Sequence, residues 1–498
     1  SGSNNWVISS AHSRSGKAIM ANDPHLELRT PMFWYWIHLE IPGQDLIGAS
    51  LPGLPLVVSG TNRHVSWGLT NAYINTADAV RLNKQEAKQL ESFRPVVWVK
   101  WFFLKLPIFF KTFERMVEGY PVLPLETKSS RPLVLKWSGF HIKASDLASM
   151  RLMASVKNVE EMEKVLSGVG IPAWNFVYAD TKGQIGQRTI GRGIRSTSKY
   201  APGIHEGTLE EVRKPEFFSP DEMPHLQNPK RGWIVTANNR HWPKDAAFFG
   251  GRSYSPGFRA SRIEEMLKAT NKHDRESFSK IQCDSQINDG RYMAPLLVEA
   301  LEDVDWSIPH RAWLEKLRKW DYSGGLDCEV CPIYRRTMDL AMDELRVGEA
   351  GFWRLGEAED KTWELAIESA FKQAWKELQG KKWGEVHHIF FHHLSGQEKW
   401  QFSPTLPTKG DRHSVSPGWS KWDENKQMFD HFSGASERLI VEMHDTPHVW
   451  LTLPGLNARY DQKEKMRPWQ EWTDCQQWRV EWPVDWSTKA TEKVEVEL

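Results

Sequence analysis

Ser1-Gly2-Ser3-Asn4-Asn5-Trp6-Val7-Ile8-Ser9 opens the chain, and Gly16-Lys17-Ala18-Ile19-Met20-Ala21-Asn22-Asp23-Pro24-His25-Leu26 follows a turn rich in Ser and Gly. Trp6-Val7-Ile8-Ser9 and Ala18-Ile19-Met20-Ala21 are short β-prone runs, so the opening reads as strands joined by that turn. Ser1 carries a hydroxyl and, at a true chain start, a free α-amine on the same residue. An α-amine has an ordinary pKa of about 7.7–8.0, which leaves a useful fraction as neutral base near pH 7. It can take the hydroxyl proton directly or through one water, without a distant histidine. An N-terminal serine alone means little. The residues around it decide.

Further extended runs follow at residues 56–59, 64–67, 175–179 and Trp233–Thr236. From about 260 to 380 the pattern turns mainly helical. Tyr334, Met338, Ala341, Met342 and Leu345 recur at helix spacing, as do Trp363, Ile367, Phe371, Ala374 and Leu378, with Gly380 placed to end that helix. Strand-rich and helix-rich stretches that do not alternate predict α+β with stacked layers rather than a doubly wound parallel sheet. No repeat or low-complexity linker interrupts residues 1–498, which read as one large chain. Residues 95–110 hold three apolar runs broken by Lys100, Lys105 and Pro107. None reaches the roughly 18–20 residues of a spanning helix. A buried strand pair is the expectation there, with a lid over an apolar pocket or a surface touching lipid as the other readings.

Lys plus Arg and Asp plus Glu both total 64, so the net charge gives no reason to expect nucleic acid or an anionic membrane as partner. The 26 tryptophans suit cores, interfaces or aromatic-lined pockets. Four cysteines exclude a disulfide-dense scaffold, and Cys328-Glu329-Val330-Cys331 has no second pair at zinc spacing, which leaves structural thiols or a local disulfide. His387-His388 and His392-His393 flank Ile389-Phe390-Phe391 in a strand-like run, where neighbouring histidines point to opposite faces and make a poor metal set.

Other blocks keep Ser1 company: Leu51-Pro52-Gly53-Leu54-Pro55; Gly60-Thr61-Asn62-Arg63-His64-Val65-Ser66-Trp67-Gly68-Leu69-Thr70-Asn71; and Asn175-Phe176-Val177-Tyr178-Ala179-Asp180 with Gly183. Asn228-Pro229 precedes Gly232-Trp233-Ile234-Val235-Thr236-Ala237-Asn238-Asn239, and Gly257-Phe258-Arg259-Ala260-Ser261-Arg262-Ile263 follows. With the opening, they resemble the large (beta) chain of the penicillin acylase (penicillin amidase) family of N-terminal nucleophile (Ntn) hydrolases. The blocks run in the family's order across residues 1–290. Weaker echoes continue at Trp383-Gly384 and Gly434-Ala435-Ser436-Glu437-Arg438, while 91–135 and the C-terminal part, 381–498, match less well.

The resemblance implies a four-layer αββα sandwich with helical and strand additions, and a precursor cut immediately before Ser1. It implies a partner, the small (alpha) chain from the same precursor, and a periplasmic or extracellular location. Ser1 matches the nucleophile, Asn238 the side-chain donor of the oxyanion hole, and Asn71 the position whose backbone N–H is the second donor. His25 matches a residue that orders the α-amine or a water, and Arg262 an arginine held near the oxyanion asparagine. Leu26 and Ser59 stand where relatives that prefer phenylacetyl groups carry aromatic residues, and Leu69 lines the same side, so an aliphatic acyl chain is expected. Catalysis needs no cofactor on this reading. A structural calcium is implied at Asn75, the carbonyl of Ala77, and Asp78, with Asn75 in place of an acidic ligand. The expected function is hydrolysis of an N-acyl amide such as a penicillin or an acyl-homoserine lactone. The rival reading is a catalytically silent secreted binding protein on the same fold.

Overall fold

Gly2–Ile8 and Ile19–Glu27 pair antiparallel in the computed structural model, with Gly2 opposite His25 and Ile8 opposite Ile19. The structure describes residues 2–54, 56–93, 96–101, 104–109, 113–116, 119–123, 131–195, 203–242, 254–352, 362–393, 402–455 and 466–482. Ser1 lies outside the described residues. The strands used below are β1 (Gly2–Ile8), β2 (Ile19–Glu27), β3 (Ser59–Asn62), β4 (Val65–Asn71), β5 (Val96–Trp101), β6 (Leu104–Phe109), β7 (Trp174–Asp180), β8 (Trp233–Thr236), β9 (Met428–Ala435) and β10 (Arg438–Glu442). The helices are α1 (Val159–Ser167), α2 (Phe258–Lys268), α3 (Arg275–Gln282), α4 (Cys331–Leu345) and α5 (Thr362–Leu378).

Among the described residues, an eleven-stranded sheet centres on β1, which lies between β2 and β8. The far edge of β2 pairs with β10 over its first half and β9 over its last residues. A seven-stranded sheet carries β7, β4 and β3 side by side. Every residue of β1 is buried because both of its faces are covered. Trp6 and Ile8 pack with Ile263 and Leu267 of α2 and Phe278 and Ile281 of α3. Val7 points the other way, to Met20 and to Val177 and Ala179 of β7. Helix α1 closes the outer side of the second sheet through Met162 and Leu166, against Phe176 and Tyr178. The order helix, sheet, sheet, helix is the expected four-layer α+β sandwich. Gly68 marks how closely the sheets approach: a Cβ there would lie 2.4 Å from Asn5 Nδ2 and 2.6 Å from Asn22 Cβ.

Helices α4 and α5 pack through Tyr334, Met338, Ala341, Ile367, Phe371 and Leu378, and Gly380 at φ +76° follows the end of α5. The later strands, from His387–His393 through His448–Thr452, join the first sheet, so the less well matched C-terminal part completes the central layer. Strands β5 and β6 do pair, Val96 opposite Phe109, but the pair is exposed rather than buried. Two disulfides form: the local Cys328–Cys331, and Cys283–Cys475 across 192 residues.

Candidate active site

The start of β1 is held from two sides. The Ser3 N–H donates to Asn238 Oδ1 at 2.6 Å, and the Ser3 carbonyl accepts from Arg259 Nη1 at 2.8 Å. Arg259 also donates to Asn4 Oδ1 (2.5 Å) and to Asn238 Oδ1 (2.9 Å). Asn238 follows β8 in the left-handed region, φ +64°, which asparagine tolerates better than most residues. With Oδ1 committed to two donors, Nδ2 turns to the carbonyl of Asn71 at the end of β4, 3.0 Å away. The structure therefore brings Asn238 and Asn71 together at the mouth of β1. A larger residue at position 2 would push on this clamp, because a Cβ would lie 2.8 Å from the Trp419 ring, 2.9 Å from Arg259 Nη2 and 3.0 Å from Asn238 Oδ1.

The arginine beside Asn238 is Arg259, which corrects the expectation of Arg262. Arg262, one turn further along α2 and nearer solvent, pairs with Asp284 at 2.8 Å and Glu265 at 2.9 Å. Burial lowers the Arg259 guanidinium to about 10, still charged at neutral pH. Both arginines stand in the sequence block that carried the resemblance. Burial separates them, and spacing does not.

His25 is buried opposite Gly2, with Nε2 2.7 Å from Asp23 Oδ2. Asn4 Nδ2 donates to the same carboxylate oxygen at 2.8 Å. Burial pulls the imidazole well below its ordinary range, with Arg259 and Arg438 acting in the same direction. Burial likewise pushes the Asp23 carboxyl up. A neutral His25 orients groups and cannot serve as a cation. Asn22 ties the two sheets at this point: its Nδ2 donates to the carbonyls of Asn4 (2.8 Å) and Leu69 (2.9 Å). The reading of residue roles from sequence passed over Asn4, Asn22 and Asp23. Asn22-Asp23-Pro24, inside the opening block, was the available signal.

A cleft of about 180 Å³ opens beside Asn238, Arg259 and Trp419, with Tyr73, Tyr254, Glu349, Arg412 and His413 on its walls. The penicillin amidase family profile matches residues 1–480. The chain belongs to the penicillin amidase family. It is 29% identical over 309 residues to the acyl-homoserine lactone acylase QuiP of Pseudomonas aeruginosa, a match covering 57% of this chain and 35% of that one. It is 23% identical over 434 residues to the penicillin acylase 2 proenzyme of Pseudomonas sp. strain SE83, covering 80% of this chain and 56% of that one. The chain thus spans about a third to just over half the length of these curated relatives. Its fold matches a thermostable penicillin G acylase from Alcaligenes faecalis with a TM-score of 0.70 at 16% identity, over 99% of both chains.

Within this penicillin amidase frame, Leu26 and Leu69 sit in one apolar cluster with Trp34, Leu51, Leu54 and Val57 between strands. Ser59 is wholly buried beside them, and its hydroxyl donates to Asn22 Oδ1 at 3.0 Å. Burial pushes the nearby Glu437 carboxyl well above its ordinary range. The expected calcium ligands form a different arrangement. Asn75 Nδ2 donates to both oxygens of Asp78, at 3.1 and 3.2 Å, and the Gly203 N–H reaches Asp78 Oδ1 at 3.3 Å. An amide that turns its NH2 to a carboxylate already satisfies that carboxylate. One acid and the Ala77 carbonyl make a thin donor set for a hard cation. As placed, Asn75, Ala77 and Asp78 do not fit a calcium cage.

Proposed function

We propose that this chain is the catalytic chain of an amidohydrolase that cleaves N-acyl amides, with Ser1 as nucleophile after an autoproteolytic cut before it. The observation that carries the reading is the cleft at the head of β1, where Asn238, Arg259 and Trp419 surround the position that Ser1 immediately precedes in the chain. The Ser1 α-amine takes the hydroxyl proton as Oγ attacks the carbonyl and the C–O bond forms. One hydrogen of Asn238 Nδ2 faces the Asn71 carbonyl, and an amide NH2 has a second to offer the developing alkoxide. The Asn71 backbone N–H is the other proposed donor. Collapse expels the amine, which takes the proton, and water then splits the acyl ester to release the acid. A fixed positive charge on Arg259 favours the neutral, basic form of the α-amine.

Leu26, Ser59 and Leu69 offer no ring faces for a phenyl group. The cleft itself is walled by Tyr73, Tyr254 and Trp419, and we assign the acyl chain instead to the aliphatic side at Leu26, Ser59 and Leu69, where each buried methylene would gain about 0.8 kcal/mol. Linear fatty-acyl amides, acyl-homoserine lactones among them, should then be cleaved faster than benzylpenicillin. The small chain of the same precursor completes the enzyme on this reading. The two disulfides suit an oxidising compartment, periplasmic or extracellular. Ser1→Ala should leave the precursor uncut and abolish hydrolysis, since one hydroxyl serves both reactions; a matured, active variant would sink the assignment. A chromogenic panel from acetyl to dodecanoyl, plus phenylacetyl, tests the pocket. A kcat/KM maximum at phenylacetyl would refute the aliphatic slot alone, and no turnover on any amide would favour a silent binding protein.

A further inference from the structure

Among the described residues, β5 and β6 pair only with each other. Val96, Val97, Trp98 and Val99 are consecutive, and each is at least 38% exposed, Trp98 at 63%. Neighbours along a strand point to opposite faces, so both faces of β5 are open. Leu104, Leu106 and Ile108 on β6 are exposed as well. The charged residues of the two strands are Lys100 and Lys105, and the register sets them directly opposite each other. Like charges in that position oppose strand pairing in water, and an anionic group held between them removes the penalty.

One open apolar face suits a groove on a protein partner. Two open apolar faces suit a medium that surrounds the hairpin, and paired lysines without any acid suit an anionic one. We propose that β5–β6 is a membrane-docking hairpin that enters the interfacial layer of an anionic bilayer. Val97, Trp98, Leu106 and Ile108 lie among the upper acyl chains, while Lys100 and Lys105 extend their ammonium groups to lipid phosphates. Two strands leave open backbone edges, which keeps the hairpin in the hydrated interface and out of the hydrocarbon centre. The neutral net charge of the chain hides this feature because the charge that matters is local.

The test uses the enzyme expressed from its whole reading frame, sedimented with vesicles of POPC and POPG at 7:3 and with vesicles of POPC alone. The wild type should pellet with the anionic vesicles and release as salt rises. Trp98→Glu should abolish pelleting. Lys100→Gln with Lys105→Gln should weaken it about thirty-fold, from about fivefold per basic residue. All should keep wild-type turnover of a soluble short-chain amide, which certifies their fold. No pelleting of the wild type, or pelleting unchanged by these substitutions, overturns the proposal. So does a Trp98→Glu enzyme that changes its oligomeric state or sheds a companion chain while the wild type ignores vesicles, since the hairpin is then a protein contact.

Discussion

Arg259 and Arg262 lie three residues apart on α2, about 60° apart around its axis, and that angle separates a buried clamp from a surface ion pair. Arg259 bonds the Ser3 carbonyl, Asn4 and Asn238, whereas Arg262 meets Asp284 and Glu265 near solvent. Arg259→Met should lower kcat/KM by about a hundredfold or more, because Asn238, the proposed oxyanion donor, loses the group that fixes its amide; losing such a donor costs about 10²–10³ in rate. Arg262→Met should stay within a few-fold in rate and cost about 1 kcal/mol or less of stability. Equal losses in both would return the role to Arg262. Asn238→Ala should slow acylation by about 10²–10³, and Asn71→Ala far less, since the donor proposed at Asn71 belongs to the backbone. Single-turnover acylation rates check both.

At the scale of an element, the strand His387–His393 shows what alternation does to a histidine-rich run. His387 is buried, stacked on Trp383 at 4.3 Å and on His431 at 5.1 Å, while His388 turns to Thr405 and the Gly384 carbonyl. Burial lowers His387 to about 4. In the unfolded chain it takes a proton near pH 6.5, so its contribution is fully present above that pH and is lost as pH falls toward 4. The loss is about 1.4 kcal/mol per pH unit, or about 3 kcal/mol across the window. His387→Phe should therefore reduce the fall in unfolding free energy between pH 7 and pH 4 by about that amount. Urea titrations at both pH values measure it, and an unchanged fall would mean that His387 titrates normally in the folded protein.

For the whole molecule, the Cys283–Cys475 bridge ties the residue after α3 to the turn between the helix Met466–Thr473 and the strand Trp478–Val480. A closed loop of this length restricts the unfolded chain by about 5 kcal/mol at the entropic limit, and removing a native bridge commonly costs about 2–5 kcal/mol. Replacing both cysteines by serine should lower the stability by that much. The short Cys328–Cys331 loop constrains far less chain, and its removal should cost under about 2 kcal/mol. Unfolding midpoints of the two double variants decide the order, and the reverse order would show that strain or residual unfolded structure outweighs loop length.

The layers were legible because they rest on local facts. Trp6-Val7-Ile8 reads as a strand wherever it lies, α4 and α5 declare themselves by spacing, and the opening block carries Ser1, His25 and the family. Three matters needed the folded molecule. Which arginine meets Asn238 depends on how α2 packs against β1. The partner of Cys283 lies 192 residues away, and no spacing rule reaches that far. Finally, the apolar run of β5 and β6 looks the same buried or bare. A side chain's hydrophobicity belongs to the residue, but its burial belongs to whatever packs against it.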